Sequence, residues 1–380
     1  MIVRLVRVGK NAIRIFVENG THSLPYQVNH QLSYNVLKAF HFSWRKTIKQ
    51  IQHAKAVAGD KGITDTEILK KLLAKGKALY NILFPNGIEF LKKQVIFYTD
   101  PTIPDLPYEA IAYKGEVLVQ NYSIIRQVEI PKRPKINQTS YRESLILTNP
   151  NDAADIKDLC NKEKEDLIKL LPNPIHLGKY SEISVVLEKL LQVKYFHYCG
   201  HIVKNKIFFQ NSVLTPADIE SMNLSHLNVV FLNACNSAQH QESSSSFANA
   251  FITAGVQNYI GYSIPASEQA ARFIAQSFWK KVKKGISLEQ AILQIRKEII
   301  SHFGIGELSW LGLNAFITFP HQKTLYQKIF SKVKKSMLML FFPLLFFLLF
   351  IPYSQMQNKI EKQTSERKTH KKVGVRTSKQ

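Results

Sequence analysis

The chain has 380 residues and 45% hydrophobic content, ample for one large packed domain with appendages and far too long for a small disulfide-stapled scaffold. Its net charge is +23, but residues 321–380 carry +11 of it beside the most apolar segment of the chain, a placement that points to lipid headgroups before nucleic acid. Three cysteines, Cys160, Cys199 and Cys235, cannot all pair with one another, and a reducing compartment is the natural reading.

Residues 2–8 and 12–18 alternate apolar and polar positions across "GKN", a hairpin signal, and the front of the chain lacks the unbroken apolar core of a secretory signal. The stretch from there to about Leu83 reads as mostly helical, with a Thr64 to Glu67 capping box opening "TDTEILKKLLAKGKALYNIL". From about residue 89 the texture changes to short β-branched runs such as "QVIFYTD", "SLILTNP", "YFHYC" and "NVVFLNAC", separated by helical patterns. This alternation predicts an α/β layer fold around a largely parallel sheet. In "SLEQAILQIRKEIISHF", Leu288, Ile292, Ile295, Ile299 and Phe303 share one face, and Ser287 with Gln290 marks the start. The Ser243 to Ser246 run reads as a loop feeding a helix that Gly255 ends.

"MLMLFFPLLFFLLFIPY", residues 337–353, holds 17 residues without a charge and predicts a single transmembrane helix, with Pro343 as a kink. Lysines precede and follow it, so the positive-inside rule gives no orientation. With no signal at the front, the expectation is a globular domain in the cytoplasm, a basic juxtamembrane linker at 321–336, the anchor, and a basic disordered tail at 354–380.

"KYFHYCGH" finishes at His201 and "LNVVFLNAC" at Cys235, and 33 residues between them leave room for a crossover. Neighbouring parallel strands end at the same sheet edge, where α/β proteins place their ligands, so the imidazole and the thiol can meet there. The chemistry needs such a neighbour: the thiolate is the nucleophile, a free thiol is mostly protonated at neutrality, and a histidine removes the proton and later returns it to the leaving amine.

The order of landmarks over about residues 89–320 resembles the CHAT family, caspase-like cysteine peptidases grouped with separases and caspases. "PTIPDLPYEAIAYKGEVLVQNYSIIRQV", "FHYCGH", "LTPADIESMNLSHLNVVFLNACNSA", "FANAFITAGVQNYIGYSIP", "FWKKVKKGISLEQAI" and "WLGLNAFITF" succeed one another in the family's order. The resemblance implies a caspase-like three-layer sandwich, with His201 as general base and Cys235 as nucleophile. It implies an oxyanion pocket from the backbone N–H groups of Ile202 and Cys235, although Ile202 stands where the family usually has glycine. A β-branched residue resists positive φ, so a different or strained turn is expected there. After the next strand, Ile264 replaces the family's tryptophan and Glu268 stands in for its aspartate in the substrate pocket.

Other readings compete. His197 lies inside its strand and reads as a hydrogen-bonded core histidine. Zinc on His197, Cys199, His201 and Cys235 matches no common ligand spacing, so neither a metal nor another cofactor is expected. Glu268 equally suits a helix N-terminus. The reading is therefore residues 1–88 as a hairpin and helical segment and 89–320 as the caspase-like domain, acting on a protein or peptide substrate beside membrane lipids. Its rival is a catalytically silent scaffold, and nothing but charge favours nucleic acid.

Overall fold

The computed structural model describes residues 1–8, 11–18, 26–58, 63–90, 94–100, 103, 105–127, 143–235, 237–238 and 246–318. The linker, the apolar segment at 337–353 and the tail lie outside the described residues. Among the described residues no helix is long and apolar enough to cross a membrane.

Met1–Phe319 forms one compact unit, built on eleven strands: β1 (Ile2–Val8), β2 (Ala12–Glu18), β3 (Tyr26–Ser33), β4 (Gln94–Thr99), β5 (Ser123–Gln127), β6 (Ser144–Thr148), β7 (Pro174–Leu177), β8 (Tyr195–Cys199), β9 (Val229–Asn233), β10 (Asn258–Tyr262) and β11 (Leu313–Ile317). They form one sheet in the order β3-β2-β1-β4-β5-β11-β10-β9-β8-β6-β7. The pairings are parallel except β1 with β2, β2 with β3, and β10 with β11. The mixed α/β class with a mostly parallel sheet is as the sequence predicts. Strand direction reverses once in the middle, between β10 and β11, so β6 to β10 share one carboxyl edge.

The N-terminal hairpin is not a separate module, because β1 pairs in parallel with β4 and extends the same sheet. Nor does a helix come directly after it. "YQVNHQLS" forms β3 first, against β2 and across an irregular register, and its polar positions hid it in the sequence. Then come α1 (Tyr34–Ala58) and α2 (Asp65–Leu83), the latter started by the Thr64 and Glu67 capping box. Gly76 lies inside α2, where glycine costs about 1 kcal/mol against alanine. The cost is structural necessity, since a Cβ there would collide with the Ala110 carbonyl and Ala112.

Helices cover both faces. On one, α4 (Ile183–Leu190), α5 (Pro216–Glu220) and α6 (Phe247–Thr253) pack Val186, Leu190, Ile219 and Phe251 onto Phe196, Tyr198, Val230 and Tyr259. On the other, α3 (Lys157–Ile168), α7 (Glu268–Lys283) and α8 (Leu288–Phe303) pack Leu167, Ile274, Phe278 and Ile295 onto Ile146, Phe231 and Ile260. Ser287 caps α8 as its pattern predicts, and Ile292, Ile295 and Ile299 are buried. Each such side chain contributes roughly 1.5–3 kcal/mol.

The cysteine arithmetic needs a correction. Cys160 of α3 and Cys199 of β8 form a disulfide with a Cα separation of 5.6 Å, leaving Cys235 as the free thiol. Three cysteines cannot all pair, but two do when a helix lies on the face that a strand end presents to it. This pairing also removes Cys199 from the ligand set of the zinc alternative.

Candidate active site

β8 and β9 run side by side with Cys199 opposite Asn233. His201 and Cys235 each come two residues after that pair, just past the strand ends on one edge of the sheet, and His201 meets Asp155 on the side that holds His197, Cys199 and Asn233. The two sequence-predicted residues thus leave adjacent strands at one edge.

Their side chains engage other partners. His201 Nε2 lies 2.8 Å from Asp155 Oδ2, and Asp155 stands just before α3. A carboxylate only accepts, so Nε2 carries the proton and Nδ1 presents a lone pair. This bond holds the Asp155 carboxyl below the usual carboxylate range. The backbone N–H of Ala266, which precedes α7, draws the Cys235 thiol down. Although Cys235 is exposed as a residue, burial around its sulfur end is the leading influence and pushes the thiol up, against the pull of the Ala266 and Cys235 N–H groups. Among the described residues no hydrogen bond joins His201 to Cys235.

Two devices fix the loops. Tyr198, buried in β8, donates its hydroxyl to the His201 carbonyl at 2.9 Å, crossing over Gly200. Any Cβ at Gly200 would strike that hydroxyl, so glycine is required there. Beyond the thiol, Ser237 Oγ donates to the Leu232 carbonyl at 2.8 Å and accepts the Tyr262 N–H at 2.9 Å. Tyr259 adds a hydroxyl bond to the Ser237 carbonyl at 2.6 Å. The turn after Cys235 is thereby folded back on β10.

Ile202 shows how the turn differs from the expected one. It does not adopt positive φ, and its side chain packs at 8% exposure into the α4 to α6 layer. The left-handed residues come later, at Lys204 (φ 48°) and Asn205 (φ 60°), in the tight turn closed between Val203 and Lys206. The Ile202 N–H has no backbone acceptor among the described residues. Glu268 is the first residue of α7, exposed, two positions past Ala266. An acid in that first turn complements the helix N-terminus.

Beneath this edge lies a buried polar chain. Trp279 Nε1 donates to His197 Nδ1 at 3.1 Å, so His197 carries its proton on Nε2 and donates it to Glu163 Oε1 at 2.6 Å. Glu163 Oε2 accepts from Asn233 Nδ2 at 2.6 Å, and Asn233 Nδ2 also reaches the Ala271 carbonyl at 3.3 Å. His197 is thus the satisfied core histidine the sequence suggests, and Glu163, fully buried on α3, is its partner. Sequence reasoning missed Asp155, Glu163, Tyr198 and Ser237. A signal existed only for Glu163, an acid on the apolar face of α3 between the buried Cys160 and Leu167.

Among solved structures, the Saccharomyces cerevisiae separase–securin complex matches with 13% identity and a TM-score of 0.43, over 74% of this chain and 22% of the separase-complex chain. The Arg-specific cysteine proteinase gingipain R matches with 12% identity and a TM-score of 0.45, over 72% of this chain and 74% of that one. The Porphyromonas gingivalis complex of RgpB pro- and mature domains gives 12% and 0.45 over 72% and 76%. No curated protein matches the sequence. The family model described as the CHAT domain matches residues 73–305, well over half of the chain and across both strand ends, and the chain belongs to the CHAT domain family.

Proposed function

We propose that this CHAT-domain protein is a cysteine endopeptidase, tethered to a membrane by residues 337–353, that cleaves a protein substrate with Cys235 and His201. The observation that supports the reading is that β8 and β9 are neighbouring parallel strands, so the free thiol and the imidazole each follow a strand that ends at the same edge of the sheet. His201 Nδ1 takes the Cys235 thiol proton as sulfur attacks the scissile carbonyl. The C–N bond then breaks and the same proton goes to the leaving amine. Water, deprotonated by His201, hydrolyses the thioester and frees the thiol. Donors for the carbonyl oxygen are the Ile202 and Cys235 N–H groups.

Before this sequence begins the imidazole must turn to the thiol while keeping its bond to Asp155, which makes the observed arrangement a resting one. The test is covalent labelling with a peptidyl acyloxymethyl ketone. The intact protein is expected to be labelled at Cys235, Cys235→Ala not at all, and His201→Ala at least about a hundredfold more slowly. Equal labelling of the His201→Ala and unaltered proteins, or no labelling of either, would favour a silent scaffold that binds its partner at this edge. The absence of a direct His201 to Cys235 bond is the observation on that rival's side.

A further inference from the structure

The helix α1 lies outside the part matched by the family model, yet it forms one wall of a trough whose other wall follows β10. Two adjoining recesses share Gln52 and Pro265. Their second wall is the stretch Ser263–Ser267 between β10 and α7, which includes Ala266, whose backbone N–H draws the Cys235 thiol down against the stronger effect of burial. Arg45, Lys49 and Gln52 succeed one another at spacings of four and three, so α1 presents them as one stripe towards the trough. Arg45 and Lys49 are exposed, and among the described residues neither is paired with a carboxylate. Trp44 and Ile264, each at 5% exposure, give the trough an apolar floor. The one acid in it, Glu307, already accepts the Ser267 and Ser309 N–H groups.

We infer that this trough is the binding groove for an extended acidic peptide, held by Arg45 and Lys49 at its rim and running along Ala266, the wall residue nearest in effect to Cys235; the inference rests on the peptidase reading for the purpose of delivery. Extended backbone suits the site because alternate side chains turn to the apolar floor and to the basic rim. Five extended residues span about 17 Å, a reach comparable to the five-residue wall at 263–267.

The experiment uses the full chain with Cys235→Ala and a fluorescent ten-residue peptide rich in Asp and Glu, against its Asn and Gln analogue, read by anisotropy. The acidic peptide is expected to bind at least about tenfold more tightly, with a strong salt dependence. Arg45→Glu with Lys49→Glu is expected to remove that preference. Lys280→Glu with Lys284→Glu changes the net charge equally at the far end of α7, about 24 Å along a 16-residue helix, and is expected to leave the preference in place. Equal affinity for both peptides, or equal losses in both double variants, overturns the groove. Probe labelling of Cys235 is measured separately. Labelling without acidic preference leaves the peptidase reading standing and sinks the groove, whereas acidic preference without labelling does the reverse.

Discussion

At the residue scale, the working state of the site turns on two protons. Burial holds the Cys235 thiol above the usual thiol range, so the resting thiol is protonated at neutrality. Asp155 is shifted the other way by its bond from His201, so its charge on the imidazole survives as pH falls and is lost only below the ordinary carboxylate range. Alkylation of Cys235 by iodoacetamide, which needs no groove, is therefore expected to climb through alkaline pH with an inflection above about 8.5. A labelling rate already level between pH 6 and 7 would instead mean a standing thiolate and imidazolium pair. Asp155→Asn keeps a hydrogen-bonding side chain but loses the charge that fixes the ring's proton on Nε2. It is expected to lower labelling by the peptidyl probe by at least about tenfold and to alter the pH profile, while iodoacetamide alkylation stays unchanged. These residue identities were unequally legible. His201 and Cys235 were readable because each ends an apolar run, whereas Asp155 is 46 positions from its partner in a polar stretch, and only the fold connects them.

At the element scale, the Cys160–Cys199 bridge fastens α3 to β8 five residues after Asp155 and two before His201. It closes a separation of 39 residues, for which chain entropy gives about 4 kcal/mol. Cys199→Ser is expected to lower denaturant stability by about 2–4 kcal/mol and to speed hydrogen exchange across 157–168. Three titratable thiols in the untreated, denatured protein would remove the premise. Helix boundaries were the most legible elements, since the Thr64 and Ser287 caps and the isoleucine stripe of α8 act locally. β3 was not, because a strand with Gln27, Asn29 and Gln31 at alternate places and His30 among its other positions owes its state to β2 beside it. The buried Glu163 to Trp279 chain was equally hidden, because its members come from α3, β8, β9 and α7.

At the scale of the whole molecule, the unit Met1–Phe319 supplies the sheet, a core and the candidate site, and the proposed membrane attachment rests on the sequence beyond it. As a helix, seventeen uncharged residues would span about 26 Å, close to the thinner hydrocarbon cores. The 13 basic residues around it add roughly 1 kcal/mol each near an anionic surface, an attraction that salt weakens. These two contributions separate in one measurement. Full-length protein synthesised onto vesicles containing phosphatidylserine is expected to stay bound through both high salt and alkaline carbonate, because a spanning helix is extracted by neither. A chain ending at residue 320 is expected to remain in solution at physiological salt, where its own excess charge of +12 is spread over a folded surface. Release of the full-length protein by carbonate would reduce residues 337–353 to a helix lying in the interface, bent at Pro343, and release by salt alone would leave only the charges as the attachment.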